Sequence, residues 1–205
     1  MEKIVLGVLA STNATDLQAV IDAIQAKKLP AEIACLISNK EKAFALKRAE
    51  KHGIESIFLD PNDFSSTEEY DSKLVQLLTE HKVDLVLLIG YNKVLSKPFV
   101  EAFQEKAMNI HPSLLPAFKG WYKSVYEDVF DYGCKVTGCT LFFISDEPDA
   151  GPIIAQKAVD IAENETFDSI KEKVQKAEQE IIIKAVKLFC EDKLKVEGNK
   201  VRVLE

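Results

Sequence analysis

Short apolar runs rich in β-branched residues recur along the first half of the chain, at Ile4–Leu9, Ile33–Ser38, Ser56–Leu59 and Leu85–Ile89. Each is too short and too continuously hydrophobic for a surface helix, so they read as buried parallel strands. Between them the period changes. Leu17–Lys27, Glu41–His52 and Glu68–His81 space apolar residues three and four apart and fill the opposite face with charges, the pattern of amphipathic helices. Strand and helix in alternation predict right-handed crossovers and an α/β fold built on an open, mostly parallel, doubly wound (Rossmann-like) sheet. Ligands of such sheets bind beyond the carboxyl ends of the strands.

The second half is less regular. A short helix around Pro98–Glu105 precedes Met108-Asn109-Ile110-His111, a strand leading into a stretch that Pro112, Pro116 and Gly120 keep from being continuous helix. A helix near Lys123–Phe130 and two strands, Val136–Ile144 and Ile153–Val159, follow. A long helix is expected over Phe167–Cys190, with Glu165, Thr166 and Asp168 at its start, and then a hairpin of Leu194–Val196 and Val201–Leu204 about Gly198-Asn199. No repeat, low-complexity segment or linker interrupts the pattern. Residues 1–205 are therefore expected to form a single domain of two halves, over about 1–107 and about 108–205.

Composition narrows the partners. With 26 basic against 33 acidic side chains and no Lys/Arg block, the net charge of −7 argues against nucleic acid, whose affinity comes from clustered cations. At 47% hydrophobic over 205 residues the chain can bury a core without disulfides or a structural metal. No window approaches the roughly 18 apolar residues of a membrane span, and Met1-Glu2-Lys3 does not open a signal peptide, so a cytoplasmic protein without a membrane partner is expected. Cys35, Cys134, Cys139 and Cys190 are expected to be reduced and structural. With only His52, His81 and His111 to support them, no metal site is expected.

Three places depart from the core-and-surface pattern. Ser11-Thr12-Asn13-Ala14-Thr15-Asp16 lies between the first strand and first helix, where unpaired N–H groups can hold a phosphate. The same residue types are also those that cap helices, so the run serves equally as a helix start. In Asn109-Ile110-His111-Pro112-Ser113, period two puts Asn109 and His111 on one side of a strand, where a carboxamide and an imidazolium can stabilise a developing oxyanion. The plain alternative is a satisfied, half-buried histidine. The third place is the loop from Asp146 to Pro152, with Asp146, Glu147 and Asp149. A carboxylate there could orient His111 and accept a proton, or the loop could be a solvated acidic turn.

Together these pieces resemble the folate-dependent formyltransferases. The likeness is carried by Asn109-Ile110-His111-Pro112-Ser113-Leu114-Leu115-Pro116 and by Asp149-Ala150-Gly151-Pro152, whose Asp149 stands 38 residues after the histidine. It extends through Ser38-Asn39-Lys40, Gly90–Ser96, Gly138-Cys139-Thr140 and the final helix. It implies transfer of a formyl group from the cosubstrate 10-formyltetrahydrofolate to the primary amine of glycinamide ribonucleotide, in purine biosynthesis, with no metal. By the resemblance Asn109, His111 and Asp149 form the catalytic trio. Thr12, Asn13, Ala14, Thr15 and Asp16, with Gln175 and Glu178, match the ribonucleotide site, while Lys93, Val94, Leu95, Asp146 and Glu147 match the pterin pocket. Thr12 and Ala14 stand where the family has glycine, Asp16 where it has asparagine, and Phe142 where histidine is frequent; Trp121-Tyr122-Lys123 makes the loop after Gly120 unusual.

Other readings remain open. An amino sugar nucleotide could be the acceptor, since that reaction keeps the trio and the folate pocket. A methionyl-tRNA acceptor is disfavoured, because the expected single domain leaves no room for that enzyme's basic C-terminal barrel. A non-catalytic folate- or nucleotide-binding relative would show a damaged trio, which this chain does not. A dinucleotide-dependent dehydrogenase lacks its G-x-G-x-x-G after the first strand. The residues leave a homodimer open.

Overall fold

The computed structural model describes residues 3–120 and 124–205, so Trp121, Tyr122 and the expected helix start at Lys123 lie outside the described residues. The chain divides into two compact units, Met1–Asn109 and Ile110–Glu205.

The first unit alternates strand and helix: β1 (Ile4–Leu9), α1 (Thr15–Gln25), β2 (Ala31–Ser38), α2 (Phe44–Lys51), β3 (Glu55–Phe58), α3 (Thr67–Glu80), β4 (Leu85–Leu88) and α4 (Lys97–Ala102). β5 (Ala107–His111) closes the unit, its last two residues already belonging to the second. These strands run in the order β3-β2-β1-β4-β5, every pair parallel. The α/β, mostly parallel, doubly wound reading therefore holds. All four residues of β4 are buried, as are Leu6, Val8 and Leu9 on β1 and Leu36 and Ile37 on β2. Each such side chain contributes roughly 1.5–3 kcal/mol of burial. Gly7 lets α3 come close, since a Cβ there would stand 2.6 Å from Leu78 Cδ2.

Local chemistry moves some boundaries. α2 begins at Phe44 rather than Glu41 because Ser38 Oγ accepts from Lys40 N and Ala43 N donates to Lys40 O, making a turn first. α1 ends two residues early where Lys27 adopts φ 56, with Lys28 N donating to Ala23 O and Lys27 N to Ile24 O. That is a Schellman stop on lysine.

The second unit holds α5 (Val125–Tyr132), β6 (Val136–Phe143), β7 (Ile153–Asp160), α6 (Phe167–Cys190), β8 (Leu194–Glu197) and β9 (Lys200–Val203). Its strands lie in the order β6-β7-β9-β8, with β6/β7 and β8/β9 antiparallel and β7/β9 parallel. α6 spans the residues its periodicity predicts, and Thr166 and Ser169 start it with a reciprocal capping box. The loop joining β6 to β7 is held shut by Phe143 N donating to Pro152 O at 3.0 Å. Only glycine fits at 151, because a Cβ would meet Phe143 O at 1.7 Å.

Candidate active site

In the first unit the strand order reverses at β1 and β4, and the turns leaving these two strands are tied to each other. Ser11 N donates to Gly90 O at 3.1 Å, and Asn92 N donates to Ser11 Oγ at 2.7 Å. Ser11 Oγ in turn donates to Asn39 Oδ1 at 2.6 Å, inside the protein. Gly90 is needed there: its φ is +61 and a Cβ would lie 2.4 Å from Thr12 Oγ1. A switch point of this kind is where doubly wound sheets receive their ligands.

The run Ser11–Asp16 does start α1, at Thr15, but not through a capping side chain. Ala14 is the N-cap of α1, in the left-handed conformation at φ 45 and ψ 59, and no side chain caps the helix. Holding an alanine there costs roughly 1–2 kcal/mol, so this is a position glycine would occupy freely. Thr12 and Asn13 are exposed, Thr15 is half-buried, and Asp16 is buried in the first turn of the helix. Arg48, absent from the sequence reading, sets its guanidinium beside this turn, with Nε donating to Asn13 O at 3.3 Å and Nη1 to Gln18 Oε1 at 2.8 Å.

The β4–α4 segment carries Lys93, Val94 and Leu95. Lys93 Nζ lies over the Tyr70 ring, 5.2 Å from its centroid, and donates to Thr67 Oγ1 at 3.2 Å. Val94 is exposed and Leu95 half-buried. The Tyr70 and Tyr91 hydroxyls meet at 3.1 Å, and burial pushes the Tyr70 phenol up to about 12 and raises that of Tyr91 as well, so both stay protonated.

In the second unit the histidine and the aspartate come together. His111 is buried at the end of β5, and its Nδ1 stands 3.7 Å from Asp149 Oδ2. Its Nε2 lies 2.9 Å from Phe118 O. A carbonyl only accepts, so Nε2 donates, and the other nitrogen faces a carboxylate. Asp149 Oδ2 also accepts from Gly120 N at 3.1 Å. Phe118 and Asp149 sit at φ 53 and φ 52, and Gly120 at φ 107, so the main chain takes strained turns where it aims these groups. Asn109 lies two residues before His111 on β5 and is half-buried.

Behind His111, Thr140 of β6 is fully buried. Its Oγ1 donates to Ser113 O at 2.7 Å and accepts from Leu115 N at 3.0 Å and from Gln156 Nε2 at 3.0 Å. Gln156 Nε2 also donates to Leu115 O at 2.9 Å. These two residues pair across β6 and β7 and fix the chain that follows the histidine. Sequence reading missed both as site residues. Asp146 and Glu147 are exposed on the loop, and Glu147 Oε1 pairs with Lys119 Nζ at 2.5 Å. On α6, Glu178 is buried and accepts from Tyr126 of α5 at 3.2 Å, with Gln175 half-buried one turn before it.

The family described as Formyl transferase matches residues 3–186. The chain is 36% identical over 195 residues to the phosphoribosylglycinamide formyltransferase of Haemophilus influenzae, covering 95% of this chain and 91% of that protein. It is 37% identical over 194 residues to the trifunctional purine biosynthetic protein adenosine-3 of Gallus gallus, where it spans only 19% of the longer protein. A crystal structure of glycinamide ribonucleotide transformylase 1 from Symbiobacterium toebii superposes with a TM-score of 0.94 at 37% identity, covering 100% of this chain and 95% of that one.

Proposed function

The chain belongs to the formyl transferase family, and from that premise we propose that it transfers a formyl group from 10-formyltetrahydrofolate to the primary amine of glycinamide ribonucleotide. The observation that carries this reading is the buried His111, held between the Phe118 carbonyl and the Asp149 carboxylate. The amine attacks the formyl carbon, a C–N bond forms, and the carbonyl electrons move onto oxygen. The Asn109 carboxamide and the His111 imidazolium stabilise that oxyanion. The amine proton passes to Asp149, directly or through water. Collapse restores the carbonyl and expels the folate nitrogen, which takes up a proton.

Thr12, Asn13, Ala14, Thr15 and Asp16 would receive the ribonucleotide phosphate on main-chain N–H groups, with the Arg48 guanidinium adding positive charge beside the turn. Gln175 and Glu178 would contact the same substrate. Lys93, Val94, Leu95, Asp146 and Glu147 would line the pterin site. Both substrates are small molecules, the reaction calls on no metal, nucleic acid or membrane, and the work is assigned to the cytoplasm.

The test follows loss of 10-formyltetrahydrofolate absorbance with glycinamide ribonucleotide as acceptor, beside a panel of amino sugar nucleotides. His111→Ala is expected to lower turnover by about two to three orders of magnitude with the fold intact. Unimpaired turnover in that variant overturns the mechanism, and formylation of an amino sugar nucleotide alone overturns the acceptor.

A further inference from the structure

A carboxylate lies where the helix pattern asks for a hydrocarbon. Asp71 shares the buried stripe of α3 with Leu74 and Leu78 and is itself 0% exposed. A buried charge costs stability unless something holds it, and what holds this one is main chain from another segment: Ser96 N donates to Asp71 Oδ2 at 2.5 Å. Ser96 is the N-cap of α4, and its own side chain makes no capping bond. The neighbouring residues of α3 grip the same segment. Tyr70 meets Tyr91, and Thr67 and the Tyr70 ring hold the Lys93 ammonium. On the opposite side Ser11 holds Asn92. Residues 91–96 carry no regular structure of their own, so their shape comes from these ties.

We propose that Asp71 is a positioning residue for the formyl folate: its carboxylate fixes the main chain at Ser96 and thereby sets Lys93-Val94-Leu95 in the shape that receives the pterin. This rests on the reading of that segment as part of the folate site. A flat heterocycle edged with donors and acceptors is recognised by groups held at fixed places, and a shift of about 1 Å in them weakens binding sharply. Leucine at 71 would continue the apolar stripe and leave the Ser96 N–H without its acceptor. Asp71 touches no reacting atom, so its loss acts on folate affinity and not on the chemical step.

The test compares Asp71→Ala with Asp71→Asn, which keeps shape and an acceptor oxygen, by amide hydrogen exchange across residues 90–96 and by separate KM values for the folate and the amine. In Asp71→Ala, exchange at Ser96 is expected to quicken and the folate KM to rise about tenfold, with kcat and the amine KM within twofold. Asp71→Asn is expected to raise the folate KM two- to threefold, and it carries the test if the alanine variant fails to fold. Unchanged exchange at Ser96, or a fall in kcat with both KM values moving together, overturns the inference. Val94→Ser judges the underlying reading separately: a folate KM that this change leaves untouched removes the segment from the folate site, whatever exchange reports for Asp71.

Discussion

The ligand turns of the first unit and the reactive pair of the second are held in opposite ways. In residues 1–109, buried side chains hold main chain: Ser11 Oγ accepts from Asn92 N and Asp71 from Ser96 N. In residues 110–205, main chain holds the reactive side chains, as Phe118 O and Gly120 N do for His111 and Asp149. The first arrangement shapes turns of backbone that can receive ligands. The second aims an acid and a base. A side chain lost from the supports of the first unit's turns should therefore appear in a KM, and one lost from the His111–Asp149 pair in kcat. Each unit also carries a histidine with one ring nitrogen on a carbonyl and the other facing a carboxylate, His81 between Leu77 O and Glu55, and His111 between Phe118 O and Asp149.

The largest effect should come from the aimed pair. Asp149→Asn keeps an oxygen for Gly120 N but removes the negative charge facing His111 Nδ1 and the proton acceptor. Turnover is expected to fall about 10²–10³-fold with the folate KM changed less than threefold, read by steady-state kinetics. A variant that loses folate affinity while keeping its turnover would erase the contrast between the units.

How far the sequence foretold this differs along the same line. Strand and helix periods placed the strands and α-helices of the first unit, because continuous apolar runs such as Leu85–Leu88 mark strands covered on both faces, but not the short 3-10 turn at Pro61–Asp63. The resemblance singled out His111 and Asp149, which meet at 3.7 Å although 38 residues separate them. The supports of the site were not legible. Thr140 and Gln156 act by facing each other across two strands, a matter of register that no local pattern carries. Asp71 did leave a mark, since spacing along α3 puts it with Leu74 and Leu78 where an apolar residue belongs. Residue type along Ser11–Asp16 suits a capped helix start, but capping depends on backbone angles, and the N-cap falls on a left-handed alanine that has no side-chain oxygen to offer.

A smaller effect sharpens the account of Asp71. Burial raises its carboxyl above 3.8; the Ser96 main chain and hydroxyl and the Lys93 ammonium pull it back down, and Glu68 pushes it up. The groups facing it are thus Lys93 and Glu68, with the phenols of Tyr70 and Tyr91 behind them. An acid with a raised folded value binds more protons folded than unfolded, so its ionisation lowers stability as pH rises from 3.8 through the folded value, and the loss is constant above. Asp71→Asn is therefore expected to be more stable than the parent at pH 7, by about 1 kcal/mol, and to lose that advantage below pH 4. Urea unfolding at both pH values decides it. A variant less stable at pH 7 would mean that the charge serves folding, not the folate segment.

The smallest effect is the control for the two histidines. His81 has the partners of His111 in kind, at 2.7 Å from Leu77 O and 3.1 Å from Glu55, but Glu55 is largely exposed. The Leu77 carbonyl first, and then Glu55, raise His81 above 6.5. A base with a raised folded value stabilises fully below its unfolded value, and that contribution disappears as pH climbs through the folded one. His81→Gln should then lower Tm by about 1 °C at pH 5.5, since a solvent-screened pair is worth a few tenths of a kcal/mol. The difference should vanish by pH 9, and turnover should match the parent at every pH. Two histidines in matching hydrogen-bond settings would thus differ in function by whether the carboxylate partner is buried beside strained main chain or left in water. A loss of turnover in His81→Gln would show that setting alone does not separate them.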